Sequence, residues 1–291
     1  MKILERVSPP GGIATKYLQE TNDGFVVEAT YIRRPEKHTL CVSTQVGCPI
    51  GCRFCASGRR SKGSLYQRSL TSAEMVEECC NIAQEMDFAA HCRPLTFAFM
   101  GEGEPFLNFD ECLKAFYALA AMSWPVPMQL AVSTSGIRPD LIRRLGEITF
   151  SVRLKLHVSL HGPSDDIRFQ IMPVTQPISE IVAAVRAYRE RCGRPVVWNY
   201  VLCAGVNDRL EHAEQIVRLL GPGWHVKFTR LNPAVGSPFR PTPRERVEQF
   251  RRILEEGGLS AAYTETDESG IQAGCGQLSY HYARGGRHGD T

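Results

Sequence analysis

The chain has 291 residues, 43% of them hydrophobic and 22% charged, with a formal net charge of +3. These values exclude a disordered, fibrous or disulfide-scaffold chain and fit a globular protein large enough to bury a sizeable core. So small a net charge does not by itself argue for nucleic acid, but from Cys48 to Leu70 there are five cations (Arg53, Arg59, Arg60, Lys62, Arg68) and no acid, which makes a local positive patch.

The first residues, MKILERVSPPGG, hold no apolar run of signal-peptide length, and no stretch approaches the ~20 apolar residues of a membrane span. A cytoplasmic protein without membrane contact is expected. In a reducing compartment its eleven cysteines are metal ligands, catalytic thiols or buried fillers rather than a disulfide framework.

Residues 13–32 alternate on either side of Asn22-Asp23-Gly24 and predict a β-hairpin. Strand-length apolar runs then follow at 40–44, 95–100, 128–133, 154–160, 196–203 and 225–230. They alternate with helical patterns at 71–86, 110–120, 139–145, 178–191, 209–220 and 243–256, and a short final strand is expected at 261–266. Thr71-Ser72 ahead of Glu74, and Thr242-Pro243, read as helix starts. Six βα units predict a parallel sheet covered by helices, as an open doubly wound sheet or an incomplete barrel. Either form gathers its active site at the C-terminal ends of the strands. Residues 283–291, ARGGRHGDT, read as a frayed tail.

The segment GCPIGCRFCASG, directly after the first strand of this series, places Cys48, Cys52 and Cys55 at spacings of three residues and two. Structural zinc is closed by four ligands, usually in two close pairs, and no second pair of that spacing follows. Gly47, Pro49, Gly51 and Gly58 break regular structure around the thiols, as suits a loop wrapped round a compact object. Three thiolates on a four-iron cluster leave one iron open to bind a substrate. CxxxCxxC is the signature of radical S-adenosylmethionine (SAM) enzymes, and Phe54 matches the aromatic of that motif.

Further segments extend the match: VEATYIRRPEKHTLCVSTQVGCPIGCRFC, then MGEGEPFLN, VSTSG, VSLHGPSDDIR, LNP and AGCGQL. Together, over about residues 24 to 282, they resemble the RlmN/Cfr family of radical-SAM RNA adenine methyltransferases. The resemblance implies an α/β fold, a radical-SAM partial (β/α)6 barrel preceded by an N-terminal β-hairpin. Residues 1–36 would form the hairpin extension, 37–282 the barrel with the C-terminal cysteine segment, and 283–291 the tail. It implies that Cys48, Cys52 and Cys55 hold a [4Fe-4S] cluster, and that Gly103, Glu104, Ser133, Ser159, Leu160, His161 and Asn232 contact SAM.

The resemblance also implies a methyl-cysteine mechanism. Cys275 would take a methyl group from one SAM, and a radical generated from a second SAM would add that carbon to carbon 2 or carbon 8 of adenine. Cys41 would then attack the sulfur of Cys275, forming a disulfide and releasing the methylated base. Glu28 would stand beside the target base. The implied partners are ribosomal or transfer RNA and an electron donor such as flavodoxin or ferredoxin.

Read without the resemblance, several of these residues have plainer roles. Cys41 reads as core, Glu28 as a solvated strand residue, His161 as a satisfied core histidine, Cys275 as a spare exposed thiol and Glu102 as solvent-facing. Cys79, Cys80, Cys92, Cys112, Cys192 and Cys203 belong to no motif and read as fillers. The family pattern usually has a small helical RNA-binding domain ahead of the hairpin, whereas forty residues precede Cys41 here. A short form is expected, gripping RNA through Arg59, Arg60 and Lys62 with help from Arg33, Arg34 and Lys37. Glu102 stands where Met is common, Gly162 where Ala is usual, and Asn199 replaces an acid. Those departures leave open the same chemistry on a nucleotide or natural product, or a cluster protein without methyl transfer.

Overall fold

The Asn22–Gly24 turn is built as its sequence demands. Gly24 takes a φ of +81°, and the Thr21 hydroxyl accepts from the Phe25 N–H at 3.0 Å. The computed structural model, which describes residues 1–9, 12–58, 66–86, 93–233, 236–264 and 277–282, places strands on both sides of that turn. The expected hairpin is β2 (Ala14–Glu20) with β3 (Val26–Arg33), and β1 (Lys2–Val7) extends it to a three-stranded antiparallel unit. β1 escapes a reading by alternation because its register shifts between Ile3 and Glu5, and such a bulge breaks the period of two.

The next strand, β4 (His38–Val42), pairs antiparallel with β3 on one side and starts the parallel series on the other. β5 (Gln45–Val46) and β6 (Arg68–Ser69) then pair antiparallel and pinch the base of the cysteine loop. From there helix and strand alternate as expected: α1 (Ser72–Ala83), β7 (Leu95–Phe99), α2 (Phe109–Ala121), β8 (Met128–Thr134), α3 (Pro139–Glu147) and β9 (Leu154–Ser159). After α4 (Asp165–Ile171), which the periodicity did not predict, come α5 (Ile178–Cys192), β10 (Val196–Val201), α6 (Leu210–Leu220), β11 (His225–Thr229), α7 (Arg244–Glu256), β12 (Ser260–Thr264) and the short α8 (Gln277–Tyr282).

The sheet runs β1-β2-β3-β4-β7-β8-β9-β10-β11-β12. Each strand from β4 to β12 in that order is parallel to the next. This is the partial (β/α)6 barrel, carrying an antiparallel extension on its first edge. Its two faces differ. Leu40, Phe97, Leu130, Leu156, Trp198 and Phe228 alternate outward into the fully buried core under the helices. Most of the intervening residues of the same strands, apart from Ala98, Ala131 and Val197, are polar, among them Thr39, Thr96, Gln129, Lys155, His157, Asn199 and Lys227. They bond to one another across strands, Gln129 Nε2 to Thr96 Oγ1 at 2.8 Å and Asn199 Oδ1 to His157 Nδ1 at 3.2 Å. A closed core does not spend a face on such groups, so the inner face is the part of the sheet left for chemistry.

The expected start of α1 is a full capping box: Thr71 accepts from the Glu74 N–H and Glu74 from the Thr71 N–H. Thr71→Ala should cost about 1 kcal/mol of stability, the usual worth of such a cap, read from the urea midpoint at unchanged m-value.

Candidate active site

The site begins where β7 ends. The Gly101 N–H donates to Val42 O at 2.9 Å, and the Thr44 N–H to Glu102 O at 2.8 Å. Gly103 holds a φ of +102°, and a Cβ there would lie 2.6 Å from Thr44 Oγ1 and 2.7 Å from Gln45 Cβ. Only glycine lets this turn lie flush on the chain that enters the cysteine loop. Gly103 therefore shapes the site through its backbone.

Cys48, Cys52 and Cys55 ride on that loop. The Cys55 N–H donates to Cys52 O at 3.1 Å and the Arg53 N–H to Ile171 O at 2.8 Å, which ties the loop to α4. At Gly58 a Cβ would stand 2.8 Å from Cys52 N, so the loop closes tightly on itself. Burial pushes all three thiols above their usual range, and the charges of the other cysteines push Cys48 and Cys52 further. Backbone N–H groups of Ile50, Ser57 and Gly58 work against this at Cys48 and Cys55. Among the described residues no three Cys, His, Asp or Glu side chains close on a point to hold a single metal ion. Neighbouring, partly buried thiols that repel one another as thiolates, supplied with N–H donors but not converging on one point, fit a cluster in which each sulfur meets its own iron.

The strand ends beside the loop are held by buried polar clamps. Glu104 takes the Phe106 N–H on one oxygen at 3.1 Å and the Ser135 N–H on the other at 2.7 Å, joining the ends of β7 and β8. Burial raises its pKa. Its carboxylate, which the resemblance places against SAM, is thus also a structural tie. Ser133 lies on the inner face, 3.5 Å from Asn199 Nδ2. Ser159 and Leu160 give their carbonyls to Arg168 Nη1 at 2.7 and 2.6 Å, and Leu160 turns its side chain into the core. His161 has a φ of +50°. Its Nδ1 accepts from the Val201 N–H at 3.1 Å, and burial keeps the ring neutral with a pKa lowered to about 3. It meets Phe54 of the cysteine loop edge to face.

Two residues that the motifs did not single out hold this segment. Arg168, fully buried, also donates to Ser135 O and Thr175 Oγ1. Asn207 donates to His161 O at 2.8 Å. Arg168 sits inside the quoted VSLHGPSDDIR stretch and was legible only as a charge. Gly162 explains its own departure from Ala, because a Cβ there would lie 2.9 Å from Ile167 Cγ2 and 3.0 Å from Arg168 N. Asn232, after β11, accepts on its carbonyl from Gln277 Nε2 at 3.0 Å.

Cys41 and Glu28 come together. Thr30 of β3 pairs with Cys41 of β4, so Glu28, two residues from Thr30, shares the face of Cys41. Cys41 is half-buried on the inner face, within electrostatic reach of Lys227. Two plain readings are corrected. Glu28 is not solvated but 3% exposed, paired with the equally buried Lys16 at 2.6 Å. Glu102 is not solvent-facing but 5% exposed. Of the unassigned cysteines, Cys79, Cys112 and Cys203 are buried fillers as expected, while Cys80 and Cys192 are only partly buried. Cys275, Cys92, Arg59, Arg60, Lys62 and the tail lie outside the described residues.

Glu102 accepts from the Ser279 hydroxyl and from the Gly47 N–H, near Glu28 and Lys16. Burial first, and then the charge of Glu28, pushes its pKa up to about 8, from about 4.3 in an unfolded chain. Between those values the folded chain holds a proton that the unfolded chain has released, so stability falls as pH rises through the window. Glu102→Gln should flatten that fall. The check is the Tm from pH 5 to pH 8.5 for both chains prepared without metal.

Comparison with known proteins agrees with this site. The Radical SAM superfamily model matches residues 42–220. A probable dual-specificity RNA methyltransferase RlmN of Symbiobacterium thermophilum is 40% identical over 274 residues, 91% of this chain and 70% of that protein. A dual-specificity RNA methyltransferase RlmN of Halorhodospira halophila is 36% identical over 269 residues, covering 90% and 72% of the two chains. The crystal structure of a radical SAM methyltransferase from Sphaerobacter thermophilus superposes with a TM-score of 0.85 at 36% identity, over 95% of this chain and 80% of that one. The three-cysteine loop at the mouth of a partial barrel is therefore that of a radical SAM enzyme, and the chain belongs to the RlmN family of radical SAM RNA methyltransferases.

Proposed function

We propose that this enzyme methylates an electron-poor carbon of adenine in RNA, carbon 2 or carbon 8, through a methyl-cysteine intermediate. The observation that supports the reading is that Cys41 lies on the inner face of β4, the strand that leads directly into the loop of Cys48, Cys52 and Cys55.

Cys48, Cys52 and Cys55 hold a [4Fe-4S] cluster, and Gly103, Glu104, Ser133, Ser159, Leu160, His161 and Asn232 form the walls of the SAM site. Bound there, cluster and SAM supply the methyl group and a one-electron route to a carbon radical. The chain supplies the rest. Cys275 is the nucleophile that carries the methyl group, reactive as its thiolate. The Cys41 thiolate attacks the Cys275 sulfur, and a disulfide forms as the carbon–sulfur bond to the base breaks. Lys227 lies within electrostatic reach of Cys41. His161, kept neutral, braces the strand-end segment and carries no proton in the reaction.

The names of the relatives support an RNA acceptor. An electron donor such as flavodoxin or ferredoxin completes the system, in the cytoplasm. No helix among the described residues is long and apolar enough to cross a membrane. Residues 1–36 act as the extension, 37–282 as the catalytic barrel and 283–291 as a tail.

The first test is the mass of the peptide carrying Cys275 after anaerobic incubation of the cluster-loaded enzyme with SAM. One added methyl group is expected; an unmodified peptide in enzyme that cleaves SAM would overturn the reading. Cys275→Ala should abolish RNA methylation while SAM cleavage continues. Cys41→Ala should accumulate a covalent protein–RNA adduct, visible as a nuclease-sensitive shift on a denaturing gel.

A further inference from the structure

Helix α8 has only six residues, too few to hold its own shape in water. Its place is set by what grips it. The N–H groups of Leu278 and Ser279 both donate to Glu28 Oε2, at 2.8 and 3.3 Å. The other oxygen of Glu28 takes Lys16 Nζ at 2.6 Å. The Ser279 hydroxyl donates to Glu102, and Gln277 Nε2 to Asn232 O at 3.0 Å. Leu278, 1% exposed, packs among Val7, Ala14 and Leu18 of the antiparallel extension. These anchors come from β3, from the turn after β7 and from the loop after β11, so α8 bridges the two sides of the barrel mouth. Cys275 lies two residues before Gln277 in sequence.

We propose that Glu28, with Lys16 and Glu102, anchors α8 and so positions the segment that carries Cys275; in this role Glu28 is a positioning residue. Both of its oxygens already serve protein donors. Turning one toward a base would break either the hold on α8 or a buried ion pair, and breaking such a pair leaves a buried charge uncompensated. Glu102 extends the anchor to the cysteine loop, because the same carboxylate that receives Ser279 also receives the Gly47 N–H. The cluster loop and the C-terminal helix thus share one buried side chain. The clause on Cys275 rests on the methyl-carrier reading above; the anchoring of α8 does not.

The test compares the cluster-loaded parent enzyme with Glu28→Gln and Ser279→Ala in two measurements without RNA. Hydrogen–deuterium exchange of the peptide spanning 277–282 reports the anchor. Methyl loading of Cys275 from SAM reports the positioning. In the parent the Leu278 and Ser279 amides should be protected. Each variant should exchange there several-fold faster, Glu28→Gln because a neutral amide oxygen holds the two N–H groups less tightly than a carboxylate and Ser279→Ala because its hydrogen bond to Glu102 is lost, with β7 to β10 unchanged. Loading of Cys275 should slow in both variants.

An unprotected α8 in the parent, or unchanged exchange in both variants, overturns the anchor. Unchanged exchange and loading in Glu28→Gln with loss of RNA methylation would instead make Glu28 a base contact. Faster exchange with normal loading would keep the anchor and overturn the positioning. A parent enzyme that never loads Cys275 speaks against the methyl-carrier reading alone, since the exchange data still judge the anchor. Should Glu28→Gln fail to fold, Ser279→Ala decides, because it leaves the ion pair intact.

Discussion

Much of this molecule depends on how closely the turn after β7 approaches the chain leaving β4. A Cβ at Gly101 would lie 2.7 Å from Val42 O, and one at Gly103 2.6 Å from Thr44 Oγ1. With those two side chains absent, the backbones of the two segments bond directly, and Gln45 reaches the Glu104 N–H at 2.9 Å. That seam fixes the entry of the cysteine loop. It also turns Glu102 inward, toward the Gly47 N–H and α8, and aims Glu104 at the end of β8. A wider seam would cost all three together, because each is a short contact rather than an adjustable surface one.

Around the seam the protein buries several ionisable side chains. Glu28, Glu78 and Glu102 lie within electrostatic reach of one another, with Lys16 the buried cation bonded to Glu28. The Glu78 carboxyl takes the Ser43 N–H at 3.0 Å, and burial holds its pKa well above the usual carboxylate range. Buried groups of this kind rarely increase stability over an apolar core. What they contribute is direction: each bond is specific for one partner, and together they tie β3, the cysteine loop and the C-terminal helix into one register. Arg168 does the same on the other flank, drawing four acceptors from the ends of β8 and β9 and from Thr175. Both flanks of the candidate SAM site are therefore organised by polar side chains hidden from solvent, while the apolar core under the helices supplies the burial.

The βα series could be read because its signal is local. Strand runs such as 95–100 and helices such as 178–191 differ from the observed elements by one residue at an end, since period and propensity act within a few turns. Thr71 and Glu74 announced a helix start three residues apart and formed it. β1 was missed because its bulge disrupts the alternation, and α8 because six residues of mixed character carry no period. The spacing of Cys48, Cys52 and Cys55 could be read because all three sit on one loop, and the order of motifs along the chain identified the family.

Other features had no local trace. Glu28 reads as a surface residue in its strand, and nothing near it in sequence shows Lys16 below one oxygen and an amide 250 residues away above the other. Glu102 looks solvent-facing until α8 covers it. The sequence by itself determined the βα series, the three-cysteine loop and the family, because each is written in residues close enough to act on one another along the chain. Only the tertiary structure decided which charges are buried, which backbone groups they hold and where the C-terminal helix docks, because burial and long-range hydrogen bonds depend on what folding brings alongside.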